Sequence, residues 1–440
     1  MKKSFVAVAL AAAACWACSG GGGAENSTNN PKTYAVSGTI SGLTGTLALR
    51  NNGVDDLSLV SNGTFTFGTK VASGSAYSVI VKKDPLGQNC LVTNGSGTVR
   101  DANISNVTVS CTTHNIVFVT STSQTGNMGG LAGADAICAA RASAAGLPGT
   151  YVAWLSTSGT GSVNAKDRLG SARGWIRTDS LPFTDRVSDL TAGTILYPPR
   201  LDEFGADVGK NVMVLTATKM DGVLFQDAYA GSCQDWTSTS GGSTAGYADG
   251  GSMIWTYYLW NTSCSATYRM YCFGTDHANA LAPLTRSGRL AFISWQSFLP
   301  GGGVAAADAI CQGEASGRGF PGTYKALLAQ EGVSAASRFS ASGPSWARPD
   351  GVVIGSLSDL EANLFTAPIE QRADGSYAGN TGVWVGANSL SNIASGTTCS
   401  SWTSNSSVLN AGSTASGRSG VDGQSNGCDA TWLSVWCLQE

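Results

Sequence analysis

The chain has 440 residues, and 12% of them are charged, about half of the ~25% typical of soluble domains. Its length exceeds what one ordinary core supports and predicts about two to four domains. The formal net charge is −3 and no segment is strongly basic. This balance excludes nucleic acid as a partner, because binding a polyanion requires clustered positive charge.

The N-terminus reads MKKSFVAVALAAAACWACSGGGG. Two lysines followed by a short apolar stretch predict a signal peptide over residues 1–18, since the stretch is too short to span a bilayer. The small residues that lead into a cysteine resemble a bacterial lipoprotein signal, which implies acylation of Cys18, with Cys15 as the alternative. A plain secretory signal is the other interpretation. We therefore expect an exported protein that is lipid-anchored to the bacterial outer membrane and exposed at the cell surface.

The next two segments differ in composition. Residues 19–33 are rich in Gly, Ser and Asn and predict a flexible tether. Residues 34–112 alternate apolar and polar positions between Gly and Asn turns, which predicts a small antiparallel β-sandwich. Within this segment Cys90 and Cys111 stand apart from the other cysteines, and we expect them to pair. The segment resembles the immunoglobulin-like modules of bacterial surface lipoproteins, which usually act as spacers.

The rest of the chain contains two similar segments, residues 113–277 and 278–440, which we name the first and second repeat. GADAICAARASAAGLPGTY (133–151) returns as AADAICQGEASGRGFPGTY (306–324), and CQDWTS (233–238) returns as CSSWTS (399–404). Each repeat carries four cysteines in corresponding places: 138, 233, 264 and 272 in the first, and 311, 399, 428 and 437 in the second. An even number of cysteines in an exported chain implies disulfide bonds.

Each repeat begins with an Ala-rich segment that predicts a helix followed by a buried strand. Gly146 and Gly319 are the expected helix ends, because glycine readily adopts the left-handed conformation found just after a helix. We expect Asp135 and Asp308 in the first helical turn, where a carboxylate interacts favourably with the helix dipole. Trp236 and Trp402, each three residues after a cysteine, are expected in the core.

The order of these features resembles endostatin, the C-terminal domain of certain basement-membrane collagens, and the related C-type lectin-like fold. It also resembles a family of bacterial lipoprotein domains of unknown function, in which RMYCF (269–273) is a familiar ending. The resemblance covers about residues 115–274 and 288–438. It implies that the first cysteine of each repeat pairs with the fourth and the second with the third, giving Cys138–Cys272, Cys233–Cys264, Cys311–Cys437 and Cys399–Cys428. The expected fold class is therefore α+β, with two tandem endostatin-like or C-type-lectin-like domains after an all-β sandwich domain.

Several properties of these families do not carry over. Endostatin binds zinc through clustered histidines, whereas His114 and His277 lie in no such cluster and are expected to be solvated or linker residues. The tripeptides with which C-type lectins bind calcium and sugar are missing. We expect no cofactor and no metal. Asp422 and Asn426 in DGQSNGCD (422–429) are weak calcium candidates, since alternating oxygen donors can hold that ion.

The aromatic run MIWTYYLW (253–260) is the candidate binding site. Trp255, Tyr257, Tyr258 and Trp260 lie between the second and third cysteines of the first repeat, where related folds bind ligands. Their rings can stack on a sugar or fill a pocket of a partner protein. The alternative is that Trp255 and Trp260 pack in the core. The second repeat lacks such a run, which favours a binding role in the first.

We expect a non-catalytic cell-surface lipoprotein with a ligand-binding or adhesion role, whose partner is a glycan or an extracellular protein. One alternative is a structural envelope lipoprotein without a specific soluble ligand. A secreted hydrolase is the third possibility, although the chain lacks the GxSxG motif of a nucleophile elbow.

Overall fold

The structure is a computed structural model, and it describes residues 31–227, 230–392, 396–406, 411–415, 421 and 424–440. The predicted signal peptide with Cys15 and Cys18, and all but the last three residues of the tether, lie outside the described residues. The fold is of the α+β class, with several sheets and two long helices. None of the helices in the described ranges is both long and apolar enough to span a membrane.

The N-terminal segment forms two four-stranded sheets, ordered β5-β2-β10-β8 and β4-β3-β7-β9, with a small β1-β6 pair beside them. Their apolar faces share one core, to which Val36, Leu49, Val79 and Val107 all belong. The strands are β1 (Thr33–Tyr34), β2 (Val36–Ser41), β3 (Leu47–Asn51), β4 (Asp55–Leu59), β5 (Gly63–Thr66), β6 (Val71–Ala72), β7 (Ala76–Lys83), β8 (Gln88–Thr93), β9 (Ser96–Thr98) and β10 (Ile104–Thr113).

One strand pair in this segment departs from the expected antiparallel arrangement. Strand β10 runs parallel to β2, with Val109 opposite Ile40, and antiparallel to β8. Parallel neighbours cannot be joined by a tight hairpin and require a crossover connection. The intervening chain supplies that crossover by forming the second sheet, so the antiparallel prediction is wrong for this pair.

The first repeat builds a five-stranded sheet of order β12-β18-β11-β13-β14 and a three-stranded sheet of order β15-β16-β17. Helix α1 contacts β12 and the short helix α3. The elements are β11 (Asn115–Val119), α1 (Gly130–Ala144), β12 (Tyr151–Ala153), a 3-10 helix (Ala165–Leu169), β13 (Trp175–Ile176), β14 (Pro182–Thr184), α2 (Val187–Thr191), β15 (Met213–Leu215), α3 (Cys233–Trp236), β16 (Gly242–Tyr247), β17 (Leu259–Ser263) and β18 (Tyr271–Gly274).

The second repeat has the same succession of elements. Here β23 pairs with β26, which joins the strands into one sheet of order β22-β21-β19-β26-β23-β24-β25, with β20 on β26. The elements are β19 (Arg289–Ile293), α4 (Gly303–Gly317), β20 (Tyr324–Ala326), a 3-10 helix (Ala336–Arg338), β21 (Trp346–Ala347), β22 (Val353–Gly355), α5 (Leu357–Glu361), β23 (Val383–Trp384), α6 (Cys399–Trp402), β24 (Ala411–Ala415), β25 (Gln424–Gly427) and β26 (Ser434–Gln439).

The two long helices end where the sequence predicts. Gly146 has φ +68° and Gly319 has φ +70°, the left-handed conformation that follows a helix end. The helices begin earlier than expected, however, at Gly130 and Gly303. The aspartates predicted for the first turn therefore lie in the second, and neither helix has an acidic residue in its first turn.

These aspartates connect each helix to the chain that follows it, and do not serve the helix dipole. Asp135 Oδ1 accepts a hydrogen bond from the backbone N–H of Ala153 at 2.9 Å and from Arg168 Nη2 at 2.7 Å. In the second repeat Asp308 bonds in the same way to Ala326 N and Arg338 Nη2, at 2.8 and 2.6 Å. An ion pair thus fixes the strand after the helix in both repeats.

The ten cysteines of the described residues form five disulfide bonds. This confirms the expectation of disulfides. The pairs are those named above: Cys90–Cys111, Cys138–Cys272, Cys233–Cys264, Cys311–Cys437 and Cys399–Cys428. In each repeat the long bond links the first helix to the closing strand, and the short bond lies at the base of the loop between the second and third cysteines.

Candidate functional site

Trp255, a predicted ligand-binding residue, lies in the core of the first repeat. Its side chain is 0% exposed, and its ring centroid is 5.2 Å from that of Trp154 and 5.3 Å from that of Phe183. The hydroxyl of Tyr271 donates a 2.7 Å hydrogen bond to its carbonyl. A ring enclosed in this way cannot stack on a ligand. The core alternative, and not the binding role, therefore describes Trp255.

Two other members of the aromatic run remain partly exposed and form what we name the tyrosine pairs. The Tyr257 ring lies 5.1 Å from the Phe225 ring, and the Tyr258 ring lies 5.3 Å from the Tyr247 ring. All four side chains are half-buried. The structure does not describe the side chain of Trp260, the fourth predicted residue. The tyrosine pairs are the part of the predicted site that a ligand can reach.

The backbone beneath the tyrosine pairs is held in place. Tyr258 N–H donates to the carbonyl of Ala245 at 3.1 Å, and Tyr257 N–H to that of Met253 at 3.2 Å. Tyr247 and Tyr258 flank a turn that connects strands β16 and β17, whose ladder is closed below by Cys233–Cys264. The three tyrosine rings are thus presented by a disulfide-bonded hairpin and its connecting loop, and Phe225 packs on Tyr257 from the segment that precedes α3.

The weak calcium candidates do not form a described site. Asp422 lies outside the described residues, and Asn426 lies in β25, where its backbone pairs with Gly412. Within the described ranges, no three His, Cys, Asp or Glu side chains lie close enough to hold a metal ion. The second repeat also presents no aromatic residue in its described counterpart of the hairpin, β24 and β25.

His114 differs from the expectation of a solvated residue. It is 4% exposed, and burial lowers its pKa. Its backbone N–H donates to the carbonyl of Gly87, so the residue lies where the sandwich meets the first repeat. The histidine is buried because the two segments pack here, which local sequence does not indicate. His277 is half-buried, and its N–H donates to Asn115 Oδ1 at 3.0 Å.

The CxxW motifs form left-handed turns that sequence reasoning did not predict. All four residues of Cys233–Trp236 and of Cys399–Trp402 have φ between 50° and 68°. Non-glycine residues rarely adopt this conformation, and only singly in most proteins. Each turn points its cysteine and its tryptophan into the core, where both tryptophans are 0% exposed, as expected. The sequence feature that could have indicated these turns is CxxWTS, which recurs unchanged although the residues around it differ between the repeats.

In each repeat a carboxylate joins the left-handed turn to the neighbouring loop. The carboxylate belongs to the turn in the first repeat and to the loop in the second. In the first repeat Asp235, within the turn, accepts the N–H groups of Ser158 and Gly159 at 2.6 and 2.9 Å. Partial burial opposes ionisation of Asp235, but these hydrogen bonds and that from Ser232 lower its pKa. In the second repeat the carboxylate belongs to the loop, where Glu331 accepts a 2.6 Å hydrogen bond from Thr398 Oγ1.

The two repeats meet through a buried ionic cluster that the sequence analysis also missed. Arg348 is 0% exposed and Glu370 is 1% exposed. Arg348 donates to Asp350 Oδ2 at 2.6 Å and to Glu370 Oε1 at 3.2 Å, and reaches the carbonyl of Ile195 in the first repeat at 3.1 Å. Glu370 Oε2 accepts the N–H of Ser252, also of the first repeat, at 2.7 Å.

Burial and charge shift the pKa values in this cluster in opposite directions. Burial raises the pKa of Glu370 to about 7, against the effect of Arg348. Burial alone would lower the pKa of Arg348, but Tyr377, Asp350 and Glu370 raise it. The motif WxRxD, which occurs in both repeats with Arg177 and Arg348 at its centre, was the available signal. The cluster is enclosed by both repeats, so it stabilises their contact and offers no entry to a substrate.

The contact between the repeats uses equivalent carbonyls but different donors. Ile195 and Phe365 occupy corresponding positions, in VSDLTAGTILYPP (187–199) and LSDLEANLFTAPI (357–369). The Ile195 carbonyl accepts from Arg348, and the Phe365 carbonyl accepts from Arg200 Nη1 at 2.9 Å. Tyr197 also belongs to the apolar core of the second repeat. Arg348 corresponds to Arg177 of the first repeat, so the two sides of the contact are not identical.

A cleft of about 780 Å³ lies between the sandwich and the first repeat. Three carboxylates line it, which bears on the hydrolase alternative. Burial raises the pKa of Asp84 to about 6, against the hydrogen bond from Cys90 N–H. Asp179 and Glu203, by contrast, are each paired with an arginine. The cleft thus has one carboxyl group with a raised pKa, while its other two carboxylates are engaged in ion pairs.

Comparisons with protein-family models and with curated proteins give no match for this chain.

Proposed function

We propose that this protein is a non-catalytic cell-surface lipoprotein that binds a glycan or an extracellular protein through the tyrosine pairs of the first repeat. The observation that carries the proposal is the pairing of four half-buried rings, Phe225 with Tyr257 and Tyr247 with Tyr258, three of which belong to a disulfide-bonded hairpin and its connecting loop. Aromatic side chains bury a large area per residue and lose little conformational entropy on binding when they are already held in place.

The architecture that we propose around this site has three parts. Residues 34–112 are an immunoglobulin-like spacer, and the two repeats are tandem endostatin-like or C-type-lectin-like domains. Acylation of Cys18 anchors the chain to the outer membrane, with the tether between the anchor and the spacer. Incorporation of labelled palmitate that is lost in Cys18→Ala but kept in Cys15→Ala would support this anchor, and the reverse would move it to Cys15.

The test of binding is an array of glycans and extracellular-matrix proteins, probed with the exported chain and with a Tyr257→Ala/Tyr258→Ala variant. Trp255 is unsuitable for substitution because its removal would open the core. Phe204→Ala is the matched control, since Phe204 is an aromatic residue of the first repeat that is 58% exposed and lies outside the tyrosine pairs. Binding that is lost in the double variant and kept in the control supports the proposal. Binding that survives the double variant would contradict the assignment of the site.

The second candidate is a structural envelope lipoprotein without a soluble ligand. The buried contact between the repeats favours it, because Arg348 and Glu370 connect them rigidly, as a spacer of fixed length requires. Silence across the array from a folded, fully disulfide-bonded chain would favour this candidate.

A further inference from the structure

A pocket of about 460 Å³ opens beside Trp295 in the second repeat, a size within the range of about 300–1,000 Å³ that small-molecule sites occupy. Trp295 is 64% exposed, so a ligand can reach its ring. The guanidinium carbon of Arg372 lies 4.0 Å from the centroid of the ring and covers one of its faces. These residues are distinct from the tyrosine pairs of the first repeat.

The corresponding place in the first repeat is closed by a buried carboxylate. Ser121 stands where the second repeat has Trp295, and its N–H and hydroxyl donate to Glu203 at 2.9 and 2.6 Å. Arg141 Nε donates to the same carboxylate at 2.5 Å. Glu203 is only 2% exposed. The carboxylate is fully paired, so although Glu203 borders the cleft described above, it offers a ligand no free hydrogen-bonding group.

The second repeat opens this place by three exchanges. Ala373 replaces Glu203, and its methyl group leaves the space empty. Glu314 replaces Arg141 and takes the role that Glu203 has in the first repeat, as acceptor of backbone N–H groups. It accepts those of Trp295 and Gln296, both at 2.9 Å. Trp295 replaces Ser121. The pocket is therefore produced by coordinated substitutions at one position of the fold, and the backbone hydrogen bonds that support its aromatic residue are kept.

The carboxylates around the ring are occupied as hydrogen-bond acceptors, whereas the two arginines keep donor groups for a ligand. Glu314 is occupied by two backbone N–H groups, and Asp374 by the N–H and hydroxyl of Ser376, which lower its pKa. The Nε of Arg372 is buried and has no hydrogen-bond partner among the described residues. Arg318 is 54% exposed and meets Asp374 only at 3.4 Å. The unmet requirement is thus for an acceptor, and arginine pairs best with a carboxylate.

We propose that this pocket binds a uronic-acid unit of an acidic glycan. The apolar face of the pyranose ring packs on the free face of Trp295, and the sugar carboxylate accepts hydrogen bonds from Arg372 and Arg318. The proposal rests on residues other than the tyrosine pairs, so either binding site can be disproved without affecting the other. It also names an acidic sugar, whereas the tyrosine pairs carry no charge that selects one.

The experiment is saturation-transfer NMR between the exported chain and two probes, methyl glucuronide and methyl glucoside. We expect transfer to the glucuronide, weaker transfer to the glucoside, and weakening of the glucuronide signal by salt. Trp295→Ala should lower the affinity by about tenfold or more, the factor that 1.4 kcal/mol represents. Trp432→Ala is the control, because Trp432 is a 57% exposed tryptophan of the same repeat outside the pocket and should leave binding unchanged.

A second variant closes the pocket without removing the tryptophan. Glu314→Arg/Ala373→Glu installs the ion pair of the first repeat, so the carboxylate at position 373 should fill the cavity and abolish transfer while the fold is kept. The proposal is overturned if the native chain gives no transfer to the glucuronide, if Trp295→Ala binds as the native chain does, or if the glucoside binds equally well. Loss of binding in the Tyr257→Ala/Tyr258→Ala variant would instead assign the signal to the tyrosine pairs.

Discussion

Replacing Arg348 with methionine should destabilise the contact between the two repeats. The side chain is fully buried and donates to Asp350, Glu370 and the Ile195 carbonyl. Methionine has a similar length but no donors, so Asp350 would lose its arginine partner and Glu370 would keep only the N–H of Ser252. Breaking a buried ion pair by removing one partner costs about 3–5 kcal/mol. For a unit of 150–250 residues this corresponds to a fall in Tm of about 6–20 °C.

The cost should depend on pH in a defined direction. The pKa of Glu370 in the folded protein is already raised by burial to about 7, above its ordinary value, so its contribution to stability is present at low pH and is lost as the pH rises through 7. Without Arg348 the pKa rises further, because the attraction that opposes burial is gone. At pH 6 the carboxyl is mostly protonated in both proteins. At pH 8 the variant carries an additional penalty of about 1 kcal/mol, which levels off near 1.4 kcal/mol because a carboxyl of still higher pKa stays neutral at that pH.

Scanning calorimetry at pH 6 and pH 8 measures both effects. Arg318→Met is the control, because it removes an arginine from an exposed pair of the same repeat and should change stability by less than about 0.5 kcal/mol. Arg348→Met/Glu370→Gln should remove the additional penalty at pH 8, since glutamine keeps an acceptor for Ser252 N–H without a charge, but it should not regain the loss at Asp350. If Arg348→Met melts within about 2 °C of the native chain, less than 1 kcal/mol, or if its penalty is the same at both pH values, the reasoning fails.

Three further predictions concern stability elsewhere in the chain. Asp84→Asn should match the native Tm at pH 4 and exceed it at pH 7, because burial raises the pKa of Asp84 to about 6; partial exposure limits the gain to about 1–2 kcal/mol, and a pH-independent difference would contradict it. Gln234→Gly should raise the Tm slightly, since Gln234 is exposed with φ +53° and glycine relieves about 1 kcal/mol of strain there; a fall would show that the turn is unstrained. Replacing both cysteines of Cys138–Cys272 with serine should lower the free energy of unfolding by about 1 kcal/mol more than the same change at Cys233–Cys264. The reason is the longer loop that it opens, since the cysteines are 134 rather than 31 residues apart. Equal losses in calorimetry would refute the loop argument.

The sequence predicted the features that depend on local pattern or on strict recurrence. Gly146 and Gly319 end their helices because a helix end has a local conformational requirement. The cysteines recur at corresponding positions of the two repeats. The pairs Cys138–Cys272 and Cys311–Cys437 were implied by the resemblance to known families. Alternation of apolar residues located the sandwich strands.

The sequence could not predict what depends on contacts between distant residues. Whether Trp255 faces the core or solvent depends on Trp154 and Phe183, far away in the chain, and an aromatic run looks the same in both cases. The role of Asp135 was missed because its partner Arg168 lies 33 positions away. The contact of Arg348 with Ile195 spans 153 positions, and no pattern within one repeat indicates that the other repeat covers it.

The contact between the repeats limits how the chain can be extended. The Ile195 and Phe365 carbonyls are equivalent, but the arginines that donate to them, Arg348 and Arg200, stand at different positions of the repeat. A contact whose two sides differ is not the self-complementary kind that two identical copies form. Two copies of the first repeat would therefore not reproduce this contact, and a further repeat could join the chain only if its donors matched the carbonyls of its new neighbour.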